Sequence, residues 1–174
     1  MHGRTLIIDA FWVSNKPFPT AQYSSSKEGK PFYDFYSGTA RYLGWMDLVL
    51  LKNIVQKSNI THIILQNLDE LGKIAQVTKT VKVCVAYSYN KFVVKQLPNI
   101  KELVHCEPIY QDIVFGGWDS SEEKFELPMR AQHYIRYLLL QTHVTYITYA
   151  NEHIKVTACL GENGDVNFTT ESNL

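Results

Sequence analysis

The stretch from Gly44 to Tyr87, GWMDLVLLKNIVQKSNITHIILQNLDELGKIAQVTKTVKVCVAY, constrains this fold more than any other part of the chain. Gly44 breaks the segment before it. Trp45, Leu48, Val49, Leu50, Leu51, Ile54 and Val55 then form an apolar helical face too broad for a helix with one side in water. Ser58 and Asn59 end that helix with turn chemistry. Ile60 to Leu65 is short, β-rich and mostly apolar, the composition of a strand buried on both faces. Gln66-Asn67-Leu68-Asp69 follows at its carboxyl end, the place where open α/β sheets hold ligands. Val81 to Tyr87 reads as the next strand, β-branched and almost continuously apolar.

The bulk numbers fit one ordinary domain spanning 1–174. Hydrophobic residues make up 45% of the 174, enough for a single core. Lys+Arg and Asp+Glu balance at 17 each, which leaves no electrostatic footprint for nucleic acid or an anionic membrane. The three cysteines, Cys84, Cys106 and Cys159, lack CxxC spacing, so buried thiols in a reducing compartment are expected. The start MHGRTLIIDAFW has too short an apolar run for a signal peptide, and no segment approaches membrane-spanning length. A cytoplasmic protein is the expectation.

Elsewhere, Thr5 to Ile8 reads as a short buried strand, and Ser24 to Lys30 as a polar loop. Lys91 to Leu97 reads as the returning strand of a hairpin. From Ile100 to Phe115, around Pro108, short strands or edge segments are favoured over a helix. Leu127-Pro128 opens a second long helix, with Ala131, Tyr134, Ile135, Leu138 and Leu139 at helical spacing. His143 to Tyr149 alternates like a strand. Ile154 to Leu160 and Val166 to Thr169 flank Gly161-Glu162-Asn163-Gly164 as a terminal hairpin.

These landmarks carry a resemblance. GWMD, a helix, a strand ending in QNLD, and VKVCVAY look like the C-terminal half of the adenylosuccinate synthetase family, which reads GWLD, TKLD and KVCVAY. Pro17-Phe18-Pro19-Thr20, Glu107-Pro108-Ile109-Tyr110, Gly117-Trp118 and Leu127-Pro128 resemble further family landmarks, in the same order. The likeness covers roughly residues 5 to 157. It implies an α/β fold: a partial, mostly parallel sheet with two long helices and antiparallel hairpins at its side.

The resemblance also implies site residues. Asp69 matches the TKLD aspartate that accepts two N–H groups of guanine, a charge-assisted pair; its other reading is a helix-capping or turn aspartate. Asn67 stands where the family has a lysine over the base, and Ala150 falls in the segment lying against guanine, with Tyr149 adding bulk beside it. In the substrate loop, Arg41 matches the second arginine, its other reading being a solvated surface charge, and Gly38 the glycine, while Ser37 and Thr39 stand in place of a threonine and the arginine that meets aspartate. An arginine clamp needs the planar fork, which threonine lacks.

These residues contain no GxxxxGK[ST] loop, nor the family's GDEGKGK, so the phosphate cradle that phosphoryl transfer requires is not among them. No catalytic residue and no metal ligand is assigned. His62, His105, His133, His143 and His153 have no metal-ligand spacing and read as structural. No cofactor is expected for the chain alone, and GTP and Mg²⁺ only where a separate P-loop chain completes it. The expected partner is another protein or a second copy, bound through the surface left by the missing half.

Overall fold

The computed structural model describes residues 3–14, 32–33, 40–114, 118 and 126–172. The elements begin with β1 (Arg4–Asp9), β2 (Trp12–Ser14), β3 (Phe32–Tyr33), β4 (Ala40–Gly44), β5 (Met46–Asp47), α1 (Leu48–Ser58), β6 (Ile60–Gln66) and α2 (Leu68–Thr78). They continue with β7 (Thr80–Tyr89), β8 (Phe92–Val94), α3 (Ile100–Leu103), β9 (Glu107–Val114), α4 (Met129–Thr142), β10 (Tyr146–Ala150), β11 (Ile154–Leu160) and β12 (Val166–Ser172). The class is mixed α/β, as the sequence implies. The chain divides into two compact units, and α1, β7 and β9 each run from one into the other.

The first unit comprises Met1–Ala10, Ile54–Val81 and Ile113–Leu174. Its five-stranded sheet has the order β1-β6-β10-β11-β12. The pairs β1/β6 and β6/β10 are parallel; β10/β11 and β11/β12 are antiparallel, the last being the expected terminal hairpin. Alternation divides the side chains between two faces. Ile63, Leu65, Ile147, Tyr149, Val156 and Ala158 are all buried on one of them. Helix α4 packs there against β10 and β11, with the Arg136 guanidinium 5.7 Å from the centre of the Phe168 ring. Ala131, Tyr134, Ile135, Leu138 and Leu139 are buried along α4, and the Tyr134 hydroxyl donates to the Ala10 carbonyl at 2.7 Å. Each large apolar side chain so buried contributes about 1.5–3 kcal/mol.

The opposite face corrects the expectation for β1 and β6. It carries Thr5, Ile7, His62, Ile64, Tyr146 and Thr148; Ile7 is 58% exposed and Tyr146 47%. Of β6, only Ile63 and Leu65 are buried, and no residue of β1 is. Strand β6 has the composition of a two-sided core but is buried on one side, and β1 is no more than half-buried, at Leu6, Ile8 and Asp9.

A helix that the sequence reading did not assign, α2, follows β6. It buries Leu68, Leu71, Gly72 and Ala75, and Gly72 lies against the buried Trp118 ring. The chain leaves α1, α2 and α4 through left-handed residues, Asn59 (φ 50), Lys79 (φ 63) and His143 (φ 57).

The second unit comprises Phe11–Asn53 and Lys82–Asp112. The apolar run expected to be helical from Trp45 first makes a two-residue strand, β5, parallel to β7, and the helix starts at Leu48. The buried Asp47 is the reason. Its Oδ1 accepts the Leu50 N–H at 2.9 Å and caps the first turn. Its Oδ2 accepts the Tyr87 hydroxyl from β7. Asn90 and Lys91, both at positive φ, make the tight turn into β8, which is shorter than the expected Lys91–Leu97 strand. Asn99 opens the short helix α3 with a capping box completed by Glu102, where strands were expected. Val49, Cys84, Tyr87, Leu103 and Cys106 form this unit's core, with Tyr89, Leu97 and Tyr110 against it. Strand β4 pairs with β2 and β3.

Candidate functional site at the carboxyl rim of the parallel strands

The three parallel strands of the first unit end side by side, β1 at Asp9, β6 at Gln66 and β10 at Ala150. Asn67 follows β6 in a left-handed conformation (φ 54, ψ 33), which asparagine adopts more readily than most residues. Its side chain does not cap α2; instead its Nδ2 donates to Asp9 Oδ1 and ties two strand ends together. Asp9 was not singled out from the sequence. Its signal was an acidic residue closing the apolar run Leu6-Ile7-Ile8.

Asp69 stands two residues further on, in the first turn of α2, where the helix dipole favours a carboxylate. Its Oδ2 lies 3.7 Å from Lys73 Nζ, while Lys73 bonds more closely to Glu70 Oε1 at 2.6 Å. The Glu70 bond is also the main reason the Lys73 pKa is raised. Asp69 is thus an acceptor at the strand-end position, in a turn that also carries Glu70.

Ala150 is exposed at the end of β10. The turn after it is closed by Asn151, whose Oδ1 accepts the N–H groups of His153 and Ile154, both at 2.8 Å. Tyr149 is 2% exposed, on the buried face shared with Leu65 and Val156. The structure therefore brings Asn67, Asp69 and Ala150 to one rim, with Asp9 as a fourth member. Two of these four residues, Asp9 and Asp69, carry carboxylates, which accept from N–H donors.

Arg41 lies in β4 of the second unit, and Gly38, Ser37 and Thr39 lie outside the described residues, as does Pro17-Phe18-Pro19-Thr20. Among the described residues no group of three or more His, Cys, Asp or Glu is placed to hold a metal ion. His62 Nε2 is 2.9 Å from Thr148 Oγ1, and Thr148 Oγ1 is 3.1 Å from Thr157 Oγ1. The Cys84 thiol is pushed up to about 12 by burial and by the Asp47 carboxylate, which disfavours the thiolate. Among the described residues no helix is long and apolar enough to cross a membrane.

The comparisons decide the family. The family model described as Adenylosuccinate synthetase matches residues 11–156. The chain belongs to the adenylosuccinate synthetase family. The adenylosuccinate synthetase of Thermoanaerobacter sp. (strain X514) is 35% identical over 133 residues, which are 71% of this chain and 30% of that protein. That of Clostridium kluyveri is 33% identical over 151 residues, 76% of this chain and 34% of that protein. The solved structure of a fully ligated adenylosuccinate synthetase from Plasmodium falciparum has the same fold, with a TM-score of 0.63 at 18% identity over 80% of this chain and 36% of that one. This family member thus spans about a third of the length of the curated relatives it matches.

Proposed function

We propose that these residues form a truncated adenylosuccinate synthetase-like module, a cytoplasmic pseudoenzyme that makes no adenylosuccinate alone and acts by binding or regulating a partner. One observation carries the reading: the chain spans only 30% of the length of a relative 35% identical to it, and its sequence contains no phosphate-binding loop. Phosphoryl transfer depends on positioning and on neutralising phosphate charge through backbone N–H groups, lysine and metal. At the rim Asp9, Asp69 and Glu70 add negative charge, and the lysine beside them, Lys73, is paired with Glu70 at 2.6 Å.

A second reading is favoured by the gathering of Asn67, Asp69 and Ala150 on one rim. The chain would be the small subunit of a split synthetase (IMP, L-aspartate and GTP to adenylosuccinate), completed by a separate P-loop polypeptide. Asp69 would then accept the guanine edge, Arg41 would contact IMP, and GTP and Mg²⁺ would belong to the complex.

The test is a synthetase assay of the purified chain with IMP, aspartate, GTP and Mg²⁺. The expected result is no turnover. Adenylosuccinate formed by the pure chain would overturn both readings, and turnover only on adding a P-loop polypeptide would select the second.

A further inference from the structure

The hairpin between β11 and β12 turns through Gly161-Glu162-Asn163-Gly164-Asp165, with Leu160 and Val166 as the last paired residues. Two backbone bonds close it: the Gly161 N–H donates to the Asp165 carbonyl at 2.7 Å, and the Gly164 N–H to the Gly161 carbonyl at 3.0 Å. Gly164 takes φ +80, which glycine adopts without steric cost. Asn-Gly is favoured in hairpin turns for that reason, and the pair occurs once in the chain. Glu162, Asn163, Gly164 and Asp165 are all exposed, and a Cβ on Gly164 would meet nothing within 4 Å. The turn that needs this glycine therefore sets an asparagine amide, open to water, beside a backbone nitrogen that no side chain shields.

We propose that Asn163 is a site of spontaneous deamidation, which converts it to aspartate and isoaspartate. The Gly164 backbone nitrogen loses its proton and attacks Asn163 Cγ. A C–N bond forms, the Cγ–Nδ2 bond breaks, and ammonia leaves carrying the proton that the nitrogen lost, relayed through water. The succinimide so formed takes up one water at either carbonyl and opens to an α-linked or a β-linked aspartate. One water is consumed, one ammonia is released, and nothing is oxidised or reduced. Glycine permits the ring closure because it has no Cβ in the way and its backbone swings freely. Asn67, Asn99 and Asn151 are followed instead by Leu68, Ile100 and Glu152, and their side chains are held. Asn67 donates to Asp9, Asn99 accepts from Lys101 and Glu102, and Asn151 accepts from His153 and Ile154. In the folded chain the Gly164 N–H must first leave the Gly161 carbonyl, so folding slows the reaction at Asn163 without hiding the site. The product adds a carboxylate between those of Glu162 and Asp165, and isoaspartate also inserts a backbone carbon into the turn, which disturbs both closing bonds.

The test is incubation of the full chain in mildly alkaline buffer at physiological temperature, followed by isoelectric focusing and peptide mapping by mass spectrometry. The expected result is a more acidic species, ammonia released in equal amount, and aspartate with isoaspartate at position 163. Asn67, Asn99 and Asn151 should stay intact over the same time. Asn163→Gln keeps the turn glycine but would need a larger ring to close, so it should lose the acidic species. In urea the Gly164 N–H is freed, and conversion at position 163 should run faster than in buffer. Absence of the acidic species from wild type, its survival in Asn163→Gln, equal conversion at the three held asparagines, or a rate that urea does not raise would each overturn the proposal.

Discussion

Replacing Gly72 by alanine reverses the usual sign of a glycine substitution in a helix. At an exposed interior position the change stabilises by about 1 kcal/mol. Here a Cβ on Gly72 would stand 2.5 Å from Trp118 Cε2, 2.6 Å from Nε1 and 2.8 Å from Cδ2. Carbon atoms pack best at about 3.5–4.0 Å, so α2 and the indole must separate by about 1 Å. The ring is rigid, and at 1% exposure it cannot swing aside without surrendering its burial. Overpacking of this kind costs about 1–3 kcal/mol, and contact with three ring atoms places it at the upper end. After the helix-propensity gain, a net loss of about 2 kcal/mol remains. In a chain of this size that lowers Tm by roughly 4–8 °C. Scanning calorimetry measures it, and a double-mutant cycle with Trp118→Leu isolates the contact, because the penalty should shrink once the indole is gone. A Gly72→Ala protein that melts higher than wild type would refute the close approach of α2 to Trp118.

Asp47→Ala should cost about 2–4 kcal/mol in urea denaturation, since it removes the α1 cap and leaves the buried Tyr87 hydroxyl without its acceptor. Burial raises the Asp47 carboxyl above its ordinary 3.8, against the opposing bonds from Tyr87, Leu50 and Val49. Its contribution is therefore fully present below 3.8 and is lost as pH rises through the raised folded value. Stability of Asp47→Asn minus that of wild type should accordingly grow more favourable from acid to neutral pH, and the opposite trend contradicts the sign. Asn99→Ala should lower stability by about 1 kcal/mol through loss of the α3 capping box, read as faster amide exchange at Lys101 and Glu102. Asp69→Ala should leave stability within about 0.5 kcal/mol, because its 3.7 Å ion pair with Lys73 is solvent-exposed; a larger loss in chemical denaturation would give Asp69 a structural role.

What could be read from the sequence were the elements whose signals are local. Helix α4 announces itself through Pro128 at its start and five apolar residues at helical spacing, and the β11–β12 turn through Gly161 and Gly164. Helix α2 was missed although Leu68, Leu71 and Ala75 recur on one side of it. Gly72 argues against a helix locally, and its reason, the Trp118 ring, lies far away in sequence. Strand β5 was missed because the Asp47 acceptor that delays α1 matters only through Tyr87 on another strand. For β1 and β6 the composition was read correctly and the burial was not. An apolar run specifies a wish for two covered faces, and only the three-dimensional arrangement shows that one is open. At the candidate rim, Asp69 and Asn67 were found through the QNLD landmark, whereas Asp9 belongs to it only through the parallel pairing of β1 with β6 and the Asn67 side chain.

The central proposal is that the rim carrying Asp69, in residues that contain no phosphate-binding loop motif, binds guanine nucleotide only weakly. Isothermal calorimetry of the purified chain with GTP, repeated with Asp69→Ala, tests it most directly. With an acidic rim and no phosphate loop, the account predicts affinity no better than about millimolar, roughly −4 kcal/mol. Micromolar GTP binding that Asp69→Ala abolishes would contradict it and establish the rim as a working guanine site.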